Sequence, residues 1–94
     1  MGKDIQGYLR WLNAMINDED ERKEMQVEKF ADGGARVLNS DGEVMLEATK
    51  QGDTWKIAAD NGLYDEEYPL AMSGNWTPEQ TGAYKLIEQV LQQL

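Results

Sequence analysis

Asp65, Glu66 and Glu67 stand in an unbroken row between Tyr64 and Tyr68, with Asp60 before them and Trp76 after. No Lys or Arg occurs between Lys56 and Lys85 to offset them. Carboxylates interleaved with aromatic rings suit the recognition of arginine and lysine. The charge steers the encounter, and the rings add buried area and cation–π contacts. A second acidic run, Asp18, Glu19, Asp20 and Glu21, is followed by Glu24 and Glu28 and partly balanced by Arg22, Lys23 and Lys29. These eleven positions, Asp18 to Glu21, Asp60, Tyr64 to Tyr68 and Trp76, are the partner-binding candidates. A purely structural role competes with docking. Amphipathic tyrosines pack their rings and leave their hydroxyls in water, and Glu79 suits a helix N-terminus without any partner.

Catalytic chemistry has little to build on. The chain contains no histidine and no cysteine, so the commonest general base and the thiol nucleophile are both missing. Ser40 and Ser73 have no histidine to activate them. Carboxylate pairs catalyse glycoside hydrolysis, but only in a substrate cleft, which a short chain rarely builds. The expectation is a protein that is not an enzyme and carries no cofactor. Zinc wants Cys or His, leaving only hard cations. With Gly42 at the sixth place of a calcium loop, Val37 and Ala48 fall where carboxylates are required. With Gly62 there, Ile57 and Tyr68 do. No metal site is expected. Neither a GxGxxG nor a GK[ST] phosphate loop occurs.

Net charge then narrows the partners. Eighteen acids oppose nine bases, for a formal −9. Such a chain repels phosphate backbones and anionic membranes and attracts basic surfaces. Acidity also simply keeps a protein in solution. With 94 residues one domain is expected, spanning 1–94, with a core limited to about 60–65 % burial of its unfolded surface. The lack of cysteine favours the cytoplasm, since small secreted domains usually need disulfides. Met1-Gly2-Lys3-Asp4 leads into no apolar leader, and Gln6 stands where a myristoylation signal needs Ser or Thr. No apolar run approaches the roughly 20 residues of a membrane span.

The elements that must hold these groups follow from periodicity. Ile5, Leu9, Leu12 and Ile16 make an amphipathic helix over Lys3–Asn17, capped by Asp4, with Tyr8 and Met15 on one flank and Trp11 at the edge. Turn signals recur about ten residues apart, as in a chain of hairpins. They are Asp32-Gly33-Gly34, Ser40-Asp41-Gly42, Gln51-Gly52-Asp53 and Asp60-Asn61-Gly62. Between them lie four expected strands: Met25–Ala31, Ala35–Asn39, Glu43–Lys50 and Thr54–Ala59. Val44, Leu46 and Ala48 should face inward, as should Trp55, Ile57 and Ala59. The opposite, watery face should carry Glu28, Arg36, Glu43, Met45, Glu47, Thr54 and Lys56. The acidic stretch after Gly62 reads as irregular. Thr77, Pro78 and Gln80 then form a capping box with proline at the first helical position. Ala83, Leu86, Ile87, Val90, Leu91 and Leu94 follow as one broad apolar stripe, with Tyr84 at its edge. The expected fold is α+β: an N-terminal helix, a four-stranded antiparallel meander and a C-terminal helix, both helices on one sheet face.

That helix–strands–helix order resembles the double-stranded-RNA-binding fold. Members of that family bind with basic residues at the start of the last helix, where Pro78-Glu79-Gln80-Thr81-Gly82 offers none, so direct nucleic-acid binding is not expected. In charge, length and layout the chain is also similar to small acidic phage inhibitors of restriction and CRISPR systems, without any shared residue motif. That likeness implies a non-enzymatic inhibitor that mimics nucleic acid and docks on the basic groove of another protein. The alternatives are an acidic chaperone or immunity-type protein with an apolar interface helped by Trp11 or Met45, and a homo-oligomeric structural subunit. A monomer and a homodimer both fit.

Overall fold

The computed structural model describes residues 4–94. Lys3, where the first helix was expected to begin, and the Met1–Lys3 start lie outside the described residues. Helix α1 runs Ile5–Asn17, with the Asp4 carboxylate accepting from the Gln6 amide at 2.9 Å as its cap. A short helix follows that periodicity does not reveal: α2, Glu19–Lys23. Asp18 caps it by accepting from the amides of Asp20 and Glu21. Acids fill its first turn and Arg22 and Lys23 its last, as the helix dipole favours.

The sheet has five strands, not four, in the order β1-β2-β3-β4-β5, all antiparallel neighbours. They are β1 Gln26–Lys29, β2 Ala35–Leu38, β3 Val44–Gln51, β4 Thr54–Ala59 and β5 Tyr64–Pro69. The added strand is the stretch expected to be irregular. Its period-two pattern is carried by tyrosines: Tyr64, Glu66 and Tyr68 turn toward the helices while Asp65 and Glu67 lie exposed on the other side. Proline and consecutive acids are tolerated because β5 is an edge strand and Pro69 ends it. Next come a 3-10 turn, Leu70–Asn75, and α3, Pro78–Gln93, with the complete Thr77/Gln80 capping box.

Both long helices lie on one face of the sheet, running parallel. Asn13 donates to Gln89 at 3.1 Å, and Gln6 to the Glu79 carbonyl at 3.1 Å. Leu9, Leu12 and Ile16 of α1 and Ala83, Ile87 and Val90 of α3 meet Val37, Leu46, Ala48, Ile57, Ala59 and Tyr68 of the sheet in one buried core.

Met45 departs from the expected alternation. The pairing slips between Val37↔Leu46 and Leu38↔Val44, so β3 carries one extra residue there. This bulge turns Met45 off the watery face, where alternation placed it, and into the helix-side layer, 7 % exposed. Glu43 departs too: it precedes β3, in the turn, where it accepts from Asn39 and Asn61 on the α1 flank instead of joining the watery face. Glu28, Arg36, Glu47, Ala58 and Asp65 form a cross-strand row through all five strands.

Candidate functional site

The acidic candidates do not form one surface; the pleat of β5 splits the row of three. Glu66 faces inward and accepts the Tyr68 hydroxyl at 2.6 Å, and Tyr68 itself is buried. Tyr68 therefore offers no surface to a partner. Trp76 packs against Tyr68 and Tyr84, with centroids 5.5 and 5.1 Å away, and its indole N–H donates to the Pro69 carbonyl at 3.1 Å. It closes the fold behind β5. On the outer face Glu67 pairs with Lys56 at 3.4 Å, and Asp65 stands beside it in the neighbouring cross-strand row. Arg36 joins Glu47 and Glu28 on the same face, its guanidinium 5.6 Å above the Phe30 ring. Arg36 and Lys56 are thus both engaged by acids of the sheet itself.

Acids gather without such partners at the other side of α1. Two joined hollows run along that flank and share Met45 and Asn39. The larger, about 440 Å³, has Met15, Met25 and Met45 as its apolar lining and Asp20, Glu21 and Glu24 on its rim. The smaller, about 110 Å³, lies between Tyr8 and Trp11 of α1 and the two turns that carry Glu43 and Asp60. Among the described residues no Lys or Arg lines either one. Of the two cations between Glu21 and Glu24, Arg22 is turned toward the end of α3, donating to the carbonyls of Gln93 at 2.7 Å and Leu94 at 3.2 Å, and Lys23 is exposed outside the lining.

Local structure explains how each side chain arrives. Tyr8, Trp11 and Met15 recur at i, i+3 and i+7, forming a second apolar stripe on α1 beside the one that meets the core. Trp11 remains 48 % exposed. It leans on Tyr8, centroids 5.5 Å apart, and Tyr8 leans on Tyr64 at 5.9 Å. The bulge brings Met45 beneath them. Asp60 and Asn61 both hold positive φ, 52° and 54°, in the tight turn between β4 and β5. That backbone is one Asp and Asn accept more readily than most residues, and it sets Asp60 at the mouth of the hollow.

Electrostatics mark the same place. Burial, reinforced by the Asp60 charge, pushes the Tyr8 phenol up to about 12. Its hydroxyl donates to the Met45 carbonyl at 2.9 Å. Burial, with Asp60 next in weight, also raises Tyr64. Among the described residues no group of three or more carboxylates is arranged to hold a metal ion, and no helix is long and apolar enough to cross a membrane.

Of the candidate residues, the structure brings Asp20, Glu21 and Asp60 to the hollows, with Tyr64 packed behind Tyr8. Asp18 is spent on capping, and Glu19 is exposed in the first turn of α2 away from the lining. Glu24, Glu43, Met15 and Met25 belong to the site without having been singled out for it. The α1 stripe was the available signal for the first wall. The bulge and α2, which assemble the remainder, leave no periodic trace. No protein-family model, curated protein or solved structure matches the chain.

Proposed function

We propose that the protein is a non-enzymatic, acidic protein-binding module of the cytoplasm. It docks the α1 flank on a basic, nucleic-acid-binding surface of a partner protein and inhibits that partner by occupying it. The observation that supports this reading is the pair of hollows whose rim holds Asp20, Glu21, Glu24, Glu43 and Asp60 and, among the described residues, no cation. Uncompensated carboxylates around a partly apolar surface steer a basic partner in and then bury it. The outer sheet face, with its Arg36 and Lys56 already paired, gives weaker steering. The protein acts as a monomer or a homodimer.

A chaperone or immunity-type role is favoured by a different observation, the three-methionine lining beside the exposed Trp11. Methionine surfaces adapt to varied apolar side chains. Capture from cell extract separates the two readings. The immobilised protein and a Glu21→Lys, Glu24→Lys, Asp60→Asn variant are compared as salt rises and as duplex DNA is added. Inhibition by mimicry requires a partner that the variant loses, that salt releases as the Debye length falls below about 10 Å, and that DNA displaces. Retention that ignores salt and DNA overturns it.

A further inference from the structure

We propose that the larger hollow receives a basic amphipathic helix of the partner, with its apolar residues on Met15, Met25 and Met45 and its lysines or arginines on Asp20, Glu21 and Glu24. This rests on the docking reading above and specifies what docks.

Three features select that occupant. The lining is methionine, a flexible and polarizable side chain that moulds to an apolar face. The acids lie along one side, on α2 and its end, so a ligand must present cations beside its apolar face. Charge complementarity excludes an acidic or neutral segment.

The backbone chooses between helix and extended strand. Around the hollows the wall's polar groups are already bonded to one another. The Met45 carbonyl accepts from Asp60 N at 3.1 Å and from the Tyr8 hydroxyl, and the Val44 carbonyl accepts from Asn61 N at 2.7 Å. The Asn39 amide donates to the Glu43 carbonyl at 3.0 Å. An added strand needs a ladder of free backbone groups; along this wall they are taken, and the open edge strand β1, Gln26–Lys29, contributes no residue to the hollow. A helix satisfies its own backbone and recognises through side chains alone, which is what the wall offers. Its anchors would recur at i, i+3, i+4 and i+7 and so present one apolar face to Met15, Met25 and Met45.

The test uses the methyl resonances of methionine. Met72 sits exposed in the 3-10 turn, outside both hollows, and serves as internal reference. A synthetic leucine–lysine peptide of about fourteen residues, roughly four helical turns, is titrated against a serine–lysine peptide of equal charge. The expected result is that the leucine peptide moves the Met15, Met25 and Met45 methyls, leaves Met72 still, and binds at least about tenfold more tightly than the serine peptide. Glu21→Lys with Glu24→Lys, both on exposed positions, should weaken it about tenfold without unfolding the chain. Equal binding of the two peptides with unmoved methyls overturns the helix inference and leaves charge-led docking standing. Binding of neither overturns both.

Discussion

Tyr68 donates its hydroxyl to Glu66, two residues back on the same strand, at 2.6 Å from the helix-facing side of the sheet. An acid that looks like loop solvation is thus the acceptor for a buried phenol. A hydrogen bond to a charged acceptor stabilises by about 1.5–3 kcal/mol, and the partial exposure of Glu66 puts this one at the low end. Tyr68→Phe keeps the ring against Trp76 and removes only that bond. Its urea midpoint should fall by an amount equivalent to about 1–2 kcal/mol with an unchanged slope. Glu66→Gln, which keeps an acceptor, should lose less. A Tyr68→Phe midpoint equal to wild type would show the bond to be idle.

Alkaline pH acts on the same class of group. All four tyrosines have phenols raised, Tyr8, Tyr64, Tyr68 and Tyr84, with burial the leading cause in each. A phenol that ionises near pH 10 when unfolded binds its proton more tightly in the fold. Between about pH 10 and the folded value the unfolded chain binds fewer protons, so stability falls as pH rises. Below about pH 10 the contribution is fully present, and for Tyr8 it is lost as pH approaches about 12. Thermal midpoints should therefore decline from about pH 10 upward, with Tyr8→Phe showing a shallower decline. Tyrosinate absorbance that appears in a single step at the ordinary value would contradict this.

Gly34 is a point where the sheet admits no side chain. A Cβ there would run into the Ala48 carbonyl oxygen and crowd the Asp32 carboxylate. That carboxylate accepts from the Gly34 amide at 2.9 Å and the Lys50 amide at 3.3 Å, tying the turn to β3. Gly34→Ala must push two strands apart, and a cost of about 3 kcal/mol or more is expected. Its neighbour Gly33 has φ +94° but open space around it, so Gly33→Ala meets backbone strain alone, about 1 kcal/mol. Denaturation of the pair should reproduce that order. Equal losses would refute the steric account.

What could be read from the residues and what could not divides along physical lines. The α3 start was legible because Thr77, Pro78 and Gln80 each act within four residues of chain, and both bonds of the capping box form. The four earlier strands were legible because turn residues separate them. Strand β5 was hidden because its inward residues are tyrosines and an acid, and edge strands accept charge that interior strands refuse. Met45 was misplaced because alternation assumes one residue per rung, and a bulge is fixed by pairing with a strand elsewhere in the chain. The binding candidate changed for the same reason. Consecutive carboxylates looked like one surface, but a pleat separates neighbours, and the acids that do converge come from α2 and two distant turns.

That convergence gives the sharpest contrast between two surfaces. Trp11 is nearly half exposed and its loss removes mainly the packing on Tyr8, so Trp11→Ala should cost only about 1–2 kcal/mol in folding. At the centre of an interface, a tryptophan commonly contributes 2 kcal/mol or more to binding, so partner capture should fall at least about tenfold. Asp65→Lys with Glu67→Lys reverses the outer-face charges and breaks only the exposed Lys56 pair, for about 1 kcal/mol or less. Glu66 is left intact, because a lysine there would meet the Tyr68 hydroxyl and confound binding with folding. The outer-face variant should retain the partner and the Trp11 variant should release it. The opposite pattern would move the docking surface to the sheet.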